Sequence, residues 1–508
     1  MDDVLVIGAG PVGLTTACQL ARSGVPVRVV DALPEPTTES RAVGVHARSL
    51  EMLAALGVLP ALEARGRRMG SLAMVDGETG EDRARIPLDG VASRHPYVLD
   101  VAQPDTEAVL ADRAAELGVP VERGVRMTAL TQDRDGVTVT LTSDDHEDVV
   151  RVGWVVGADG GHSTTRHLLG TRLEGDFHGQ HFAMADVDID TDLAPDSIRV
   201  FTHPEGLGLL FPLVGARARV MFLVDDPGSG APDPTLAQIQ DLADARMAGR
   251  VRVHDPRWLT WFEVHHAQVP RYRHDRVLLA GDAAHIHSPA GAQGMNTGIQ
   301  DAANLAWKLA LVARGAAAPR LLDTYHDERH PVGAEVVRTT TRLTDVGTAS
   351  GAFGAVRDAA LFLVGHVGRV RDAAATRLAE VSIGYRRSSL SQQAGRPGPV
   401  RPGDHAPDPQ GLRRADGTPV AVEDLLTRPG FLLLVHGDGP GLSEALGDLG
   451  TVVRLGVDLV DPDAAYGDRG MVLVRPDGYV GLTAEDADPE VLRRYLTEAL
   501  GIPTTAAV

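Results

Sequence analysis

The chain of 508 residues has one cysteine, Cys18, so it can form no internal disulfide, no paired-thiol redox centre and no multi-cysteine zinc site. Lysine is nearly absent: Lys308 is the only one, and every other basic residue is arginine, a bias that reads as coding background rather than as anion recognition. Basic charge is in deficit overall. The formal net charge of −20 disfavours a phosphate backbone as partner, so no nucleic acid is expected. Long apolar runs are missing too. The run at residues 4–7 is far too short to span a bilayer, and Asp2 and Asp3 stand where a leader would be basic, so no membrane association and a cytoplasmic location are expected. Aromatic residues make up only 4%, yet 43% hydrophobic and 23% charged residues exclude wholesale disorder. Glycine (56) and proline (32) are plentiful, which favours many turns and close backbone approaches.

What is present is organised in blocks. Apolar runs at 4–7 and 27–30 bracket a Gly-rich turn and a helical stretch ending near Ser23, giving a strand–turn–helix–strand unit. Helices are expected at 48–56 and 105–117, and a meander at 137–141 and 149–156. From 177 to 264 the pattern alternates, predicting a largely antiparallel sheet with one covered face. A buried strand at 277–280 precedes a Gly-rich loop and a long helix from about Gly298 to Ala313, with helical stretches continuing to about Glu380. Residues 395–411 are dense in Pro and Gly and read as a linker. A small α/β unit follows. The fold class is therefore α/β: a Rossmann-like nucleotide-binding domain (1–176 and 268–394, with a helical extension), an inserted antiparallel-sheet domain (177–267), and a C-terminal domain (412–508).

Three motifs carry chemistry. In the first, Gly8-Ala9-Gly10-Pro11-Val12-Gly13 follows a strand and opens a helix. Glycines there permit the tight turn and the close approach of a pyrophosphate, whose charge the helix N-terminus favours. Asp31, eighteen residues past Gly13, ends the second strand, where an acid can accept hydrogen bonds from an adenosine ribose. The second motif, Gly157-Ala158-Asp159-Gly160, read alone is more readily an ordinary Asp-Gly turn than a binding loop. In the third, Asp282 of Gly281-Asp282-Ala283-Ala284-His285 ends a strand and can hold a ribityl or ribose hydroxyl. The small residues from Pro289 to Asn296 let backbone lie against a flat ring, and the following helix would stabilise negative charge on that ring.

The three motifs in this order resemble the FAD-dependent aromatic hydroxylases of the para-hydroxybenzoate hydroxylase type, over about residues 1–390 and on into the C-terminal domain. The segment GDAAHIHSPAGAQGMNTGIQDAANLAWKLA is the most diagnostic, and the length is most like the bacterial polycyclic polyketide hydroxylases. The resemblance implies that Gly8, Gly10, Pro11 and Gly13 cradle the pyrophosphate and Asp31 the ribose. It implies that Arg41 lies beside the flavin, Gln103 contacts FAD, and Asp159 serves both FAD and NADPH. Asp282 would take the ribityl side, with Pro289, Gly291, Gln293, Gly294, Met295 and Asn296 along the isoalloxazine. Two residues depart from the family pattern: Ala292 replaces a usual glycine, and Asp31 is a methylene shorter than the usual glutamate.

The implied activity is hydroxylation of a phenolic, polycyclic aromatic molecule, with FAD reduced by NADPH and O2 carried as a C4a-hydroperoxide. Baeyer–Villiger oxygenation of a ketone uses the same cofactor, and a non-turning-over FAD-binding partner is the alternative of another class. Leu209 and Phe211 share one face of the middle sheet and are either substrate wall or plain core. No metal is expected: with 19 histidines, pairs such as 285/287 and 326/330 arise by chance, and the second lacks the Glu that metalloprotease chemistry needs directly after the first His. The C-terminal domain resembles thioredoxin but holds no cysteine, which leaves packing or support of a homodimer.

Overall fold

The computed structural model describes residues 3–144, 146–228, 230–286, 293–347, 367–408 and 411–503, with side chains at 176–179, 264 and 337–347 left aside. Val4–Ile7 is buried on both faces, as a central parallel strand must be. It pairs in parallel with Val27–Asp31 on one side and Trp154–Gly157 on the other. Val121–Arg123 extends the sheet beyond the former, Val277–Leu279 beyond the latter, and Arg273–His274 adds an antiparallel edge. The chain leaves Val4–Ile7 and Trp154–Gly157, side by side, at the same carboxyl edge. In open α/β sheets that edge is where ligands bind.

The helix Pro11–Arg22 begins with Pro at its first position, where the missing N–H costs nothing, and is closed by Gly24 at φ +72°. It packs along the helix Gly294–Ala313. That second helix begins four residues earlier than the expected Gly298. Gly298 is instead an interior contact: a Cβ there would stand 2.5 Å from Val12 Cγ2. The helical extension comprises Asp323–Gly347, with Pro331 inside it, and Gly368–Leu378.

The middle sheet has eight strands, built around the long partners Glu174–Thr191 and Val251–Gln268. It draws in Ser71–Asp76 and Asp82–Pro87 from the N-terminal segment, and Ser71–Asp76 runs parallel to Ser197–Thr202. Both faces are covered, not one. Helix Leu236–Arg246, started by a Thr235/Gln238 capping box, closes the face of Ala185, Phe201, Leu210 and Val220. The other face, with Phe182, Met184, Leu209, Phe211 and Met221, packs on Val43, Ala47, Val98, Ala375 and Ala379 of the nucleotide-binding domain. Adjacent Leu209 and Leu210 are both buried, so alternation could not reveal the second cover.

The expected meander divides. Val137–Ser143 and His146–Val152 form a small antiparallel sheet with Arg126–Gln132, whereas Trp154–Gly157 belongs to the main sheet. The C-terminal unit is a seven-stranded mixed sheet centred on Phe431–His436, parallel to Gly450–Leu455 and antiparallel to Met471–Val474. Gln392–Ala394, ahead of the Pro/Gly-rich stretch, is its edge strand. Val400 and Ala406 within that stretch are buried in its core, so the stretch packs rather than dangles.

Candidate functional site

The three motifs meet at the carboxyl edge of the main sheet. Gly8 has φ +102°, and a Cβ on it would lie 2.4 Å from the carbonyl oxygen of Ala158, which locks the first motif onto the second. A Cβ on Gly13 would lie 2.0 Å from the Gly8 carbonyl oxygen, so the helix can start this close to the strand only with glycine there. Val12 fills the hollow left by Gly281 (φ +58°) and Gly298, docking the third motif onto the first helix.

Gly10 differs from its neighbours. Among the described residues, a Cβ there would meet nothing nearer than Glu107 Oε1 at 4.0 Å, so no packing among them demands this glycine. A backbone left bare at a helix N-terminus fits a pyrophosphate approaching from outside. Asp31 is placed to serve the same loop: its Oδ2 accepts from Ala9 N at 2.6 Å and its Oδ1 from Leu33 N at 2.8 Å.

Asp282 is the solvent-accessible residue in an otherwise buried run, with Ala280, Gly281, Ala283 and Ala284 covered. It sits in a recess walled by protein: desolvation raises its carboxyl, and the charges of His285 and Arg41 act in the opposite sense. Arg41 is thus close enough for its charge to act on Asp282, while its guanidinium is exposed and pairs with Glu39 at 3.0 Å. Gln103 Oε1 accepts from the amides of Arg41 (3.2 Å) and Ala42 (3.1 Å), and so holds the segment that carries Arg41.

Two expected contacts are engaged within the chain. Asp159 accepts from Ser163 Oγ (2.5 Å), Thr165 N (2.9 Å) and Thr165 Oγ1 (3.0 Å), which makes its carboxylate the organiser of the loop. Asn296 donates from Nδ2 to the Gly44 carbonyl and accepts at Oδ1 from His46 N, both at 2.9 Å. Its side chain thus clamps the strand Gly44–Val45 to the first turn of helix Gly294–Ala313, with Met295 buried beside it. Gln293 is the N-cap residue and Gly294 the first residue of that helix. Pro289, Gly291 and Ala292 lie outside the described residues.

Leu209 and Phe211 are nearly fully covered by the chain's own side chains. An open cleft of about 820 Å³ lies on the other side of helix Gly368–Leu378, lined by Gln293, Val332, Arg377, Glu380 and Tyr385 among others. Ala375 and Ala379 point to the sheet while Ala373 and Arg377 point to this cleft, as helical spacing requires, and Glu380, just past the helix at φ +61°, adds to its lining. Of the histidine pairs, His285 is bonded to Asp301, while His326 and His330 pack at tilted or edge-on angles against each other and against Tyr272.

Sequence reading passed over several groups at the site. Glu107 sits beside Gly10 and accepts from Gln103 Nε2 at 2.8 Å; burial and the nearby Asp31 push it up to about 7, against Gln103 and Arg123. Its i, i+4 spacing from Gln103 was the available signal. Asp301 is fully buried and accepts from His285 Nε2 (2.6 Å), Arg329 Nε (2.6 Å) and Gly281 N (3.2 Å). Despite burial, the charges of Arg329 and His285 hold its carboxyl below the usual range.

A Gly-rich turn between strand and helix, with Asp31 and Asp282 at the ends of two strands on one sheet edge, beside a second sheet and a helical extension, has the form of a nucleotide-binding α/β protein. Comparison with known proteins agrees. Residues 1–340 match the model of the FAD binding domain, and residues 400–503 that of the aromatic-ring hydroxylase C-terminal domain. The chain is 36% identical to the 12-dehydrotetracycline 5-monooxygenase/anhydrotetracycline 6-monooxygenase of Streptomyces rimosus, over 98% of each chain. Among solved structures, it is similar to the anhydrotetracycline hydroxylase OxyS of S. rimosus (TM-score 0.82, 33% identity, 99% of each chain). It is also similar to aklavinone-11 hydroxylase, solved with FAD and aklavinone (TM-score 0.79, 28% identity, 98% of this chain and 99% of that one). This chain belongs to the FAD-dependent aromatic-ring monooxygenases, and it is a flavin-dependent monooxygenase. Among the described residues, no helix is long and apolar enough to cross a membrane.

Proposed function

We propose that this chain hydroxylates a phenolic, polycyclic aromatic molecule of the polyketide type, using FAD, NADPH and O2. The observation that carries the reading is the meeting of three sequence-distant loops around one recess, with Gly10 bare and Asp282 accessible inside it. The names of the relatives support the substrate class.

Bound FAD supplies the two-electron chemistry with NADPH and the activation of O2. The chain's own residues do the rest. The amides around Gly10 and the start of helix Pro11–Arg22 hold the pyrophosphate, and Asp31 has lone pairs left for ribose hydroxyls beyond the Ala9 and Leu33 amides it accepts from. Asp282 accepts from a ribityl hydroxyl, and Arg41 adds positive charge at the same recess. Helix Gly294–Ala313 directs its positive end toward the ring position and favours negative charge there. The cleft beside Gln293 has the volume for a multi-ring substrate, with Val332 and Ile383 as apolar contacts within a largely polar lining. NADPH binds transiently at the same recess, since one strand-linked GxGxxG is evident in the sequence.

The test is direct. Purified protein should be yellow and release FAD on heating, and a polycyclic phenol should accelerate its NADPH oxidation with a gain of one oxygen in the product. Protein that retains no flavin would overturn the reading. A lactone identified by NMR would replace hydroxylation by Baeyer–Villiger oxygenation. Bound FAD with NADPH oxidation indifferent to every phenol tried would mark a non-turning-over partner.

A further inference from the structure

The C-terminal domain has no thiol, so exchange chemistry gives it no task. It does reach the nucleotide-binding domain through a run of fully buried charges. Arg475 makes a bidentate pair with Glu328 (2.7 and 2.8 Å) and a second with Asp477 (3.0 and 2.5 Å). Asp477 accepts from Trp307 Nε1 (3.1 Å) and Asn304 Nδ2 (3.2 Å). Lys308 donates to Glu328 and to Asn304 Oδ1, both at 2.8 Å. Two positive and two negative side chains, each 0% exposed, thus balance one another across the joint.

The run continues toward the flavin recess. Arg329, next to Glu328 in sequence, donates to Asp301 Oδ1 (2.6 Å) and to the Thr297 carbonyl (3.0 Å). Asp301 in turn accepts from Gly281 N and His285, which flank Asp282. Asp301, Asn304 and Lys308 fall at i, i+3 and i+7 and so form one stripe of helix Gly294–Ala313. One helix therefore meets the C-terminal domain at Asn304 and Trp307 and, one turn earlier, Gly281 and His285 through Asp301.

Buried, fully paired charges of this kind constrain geometry more than they add stability, because each member tolerates few positions. We propose that the C-terminal domain positions the flavin site, with Arg475 and Asp301 as positioning residues at the two ends of this chain of contacts. The proposal rests on the FAD reading above. Coupling between two sites is reciprocal, so disturbing Arg475 must weaken FAD binding, and FAD binding must tighten the C-terminal sheet.

Two measurements on the full-length protein test it. Flavin-stripped and FAD-reconstituted protein are compared by hydrogen exchange; slower exchange in strands Met471–Val474 and Val480–Ala484 with FAD is expected. FAD dissociation constants are then measured for Arg475→Lys and Arg475→Met. The Met variant should bind at least tenfold more weakly, with Lys between it and the parent. Arg454→Ala, which breaks the exposed Arg454–Asp458 pair in the same domain, should leave FAD affinity unchanged. A lowered Tm in Arg475→Met with unaltered FAD affinity would make Arg475 merely structural and overturn the proposal. So would C-terminal exchange indifferent to FAD, a result that needs no variant to fold. A parent protein that binds no FAD at all would instead sink the functional reading on which this one stands.

Discussion

Gly8 and Ala158 touch backbone to backbone: a methyl group on the former would stand 2.4 Å from the carbonyl oxygen of the latter. This contact joins two loops 150 residues apart and sets where the recess opens.

It also separates two glycines that a sequence pattern treats alike. Gly8→Ala should destabilise the fold by about 1–3 kcal/mol or more, because the clash is with backbone and φ is positive. Gly10→Ala should fold with nearly the parent's Tm, since among the described residues only Glu107 comes within 4.0 Å, yet lose FAD affinity. Thermal melts of the flavin-stripped variants, paired with FAD titrations, check both. Equal melting losses would contradict the assignment of Gly10 to the ligand.

Asp282→Ala should weaken FAD retention by about 1–3 kcal/mol, the worth of a hydroxyl-to-carboxylate hydrogen bond. Equilibrium dialysis against free FAD measures this. Its accessibility among buried neighbours implies little effect on folding. Unchanged FAD affinity would remove Asp282 from the site.

Glu107 gives the FAD site a pH dependence. Burial raises its carboxyl to about 7, so it is largely neutral at pH 6 and ionised by pH 8.5. Negative charge beside Gly10 opposes a pyrophosphate, so FAD affinity should fall several-fold across that interval. Glu107→Gln should hold its affinity constant over the same range. A parent protein whose affinity is flat between pH 6 and 8.5 would refute this.

Glu380 predicts a slope in stability rather than in binding. Its buried carboxyl, hydrogen-bonded by Gln300 Nε2 at 2.5 Å, is pushed up to about 8 from an ordinary value of 4.5. Between those values the unfolded chain releases the proton first, so the parent loses stability as pH rises from 4.5 to 8 and levels off above. The loss is on the order of a few kcal/mol. Glu380→Gln should lack that loss, so its advantage over the parent should grow between urea melts at pH 5.5 and pH 8.5. A constant difference would show that Glu380 is ionised throughout.

Much of the site was legible because its parts are local. A glycine triplet after a strand, an acid at the end of the next strand and Gly281-Asp282 at a third strand's end are short patterns with their own physical meaning. The reading went astray where a residue's task is set by something distant. Gly298 resembled a helix start and is a hollow for Val12; Leu209 and Leu210 could not be sorted until the helix Leu236–Arg246 was seen to cover one of them. Asp301 and Glu328 look like ordinary helix acids in the sequence, and their partners lie 16–28 and 20–147 residues away.

By itself the sequence determined that this is an α/β flavoprotein with a Gly-rich turn after its first strand, an acid at the end of its second and a cysteine-free C-terminal domain, because such features depend on residue type and close spacing. Only the tertiary structure decided that Gly10 is bare while Gly8 and Gly13 are packed, that Asp159 and Asn296 spend their side chains inside the chain, and that Arg475 is tied through Glu328 and Arg329 to Asp301. Burial, and the charge pairs burial enforces, arise between segments far apart in the chain, and no local pattern records which of them will meet.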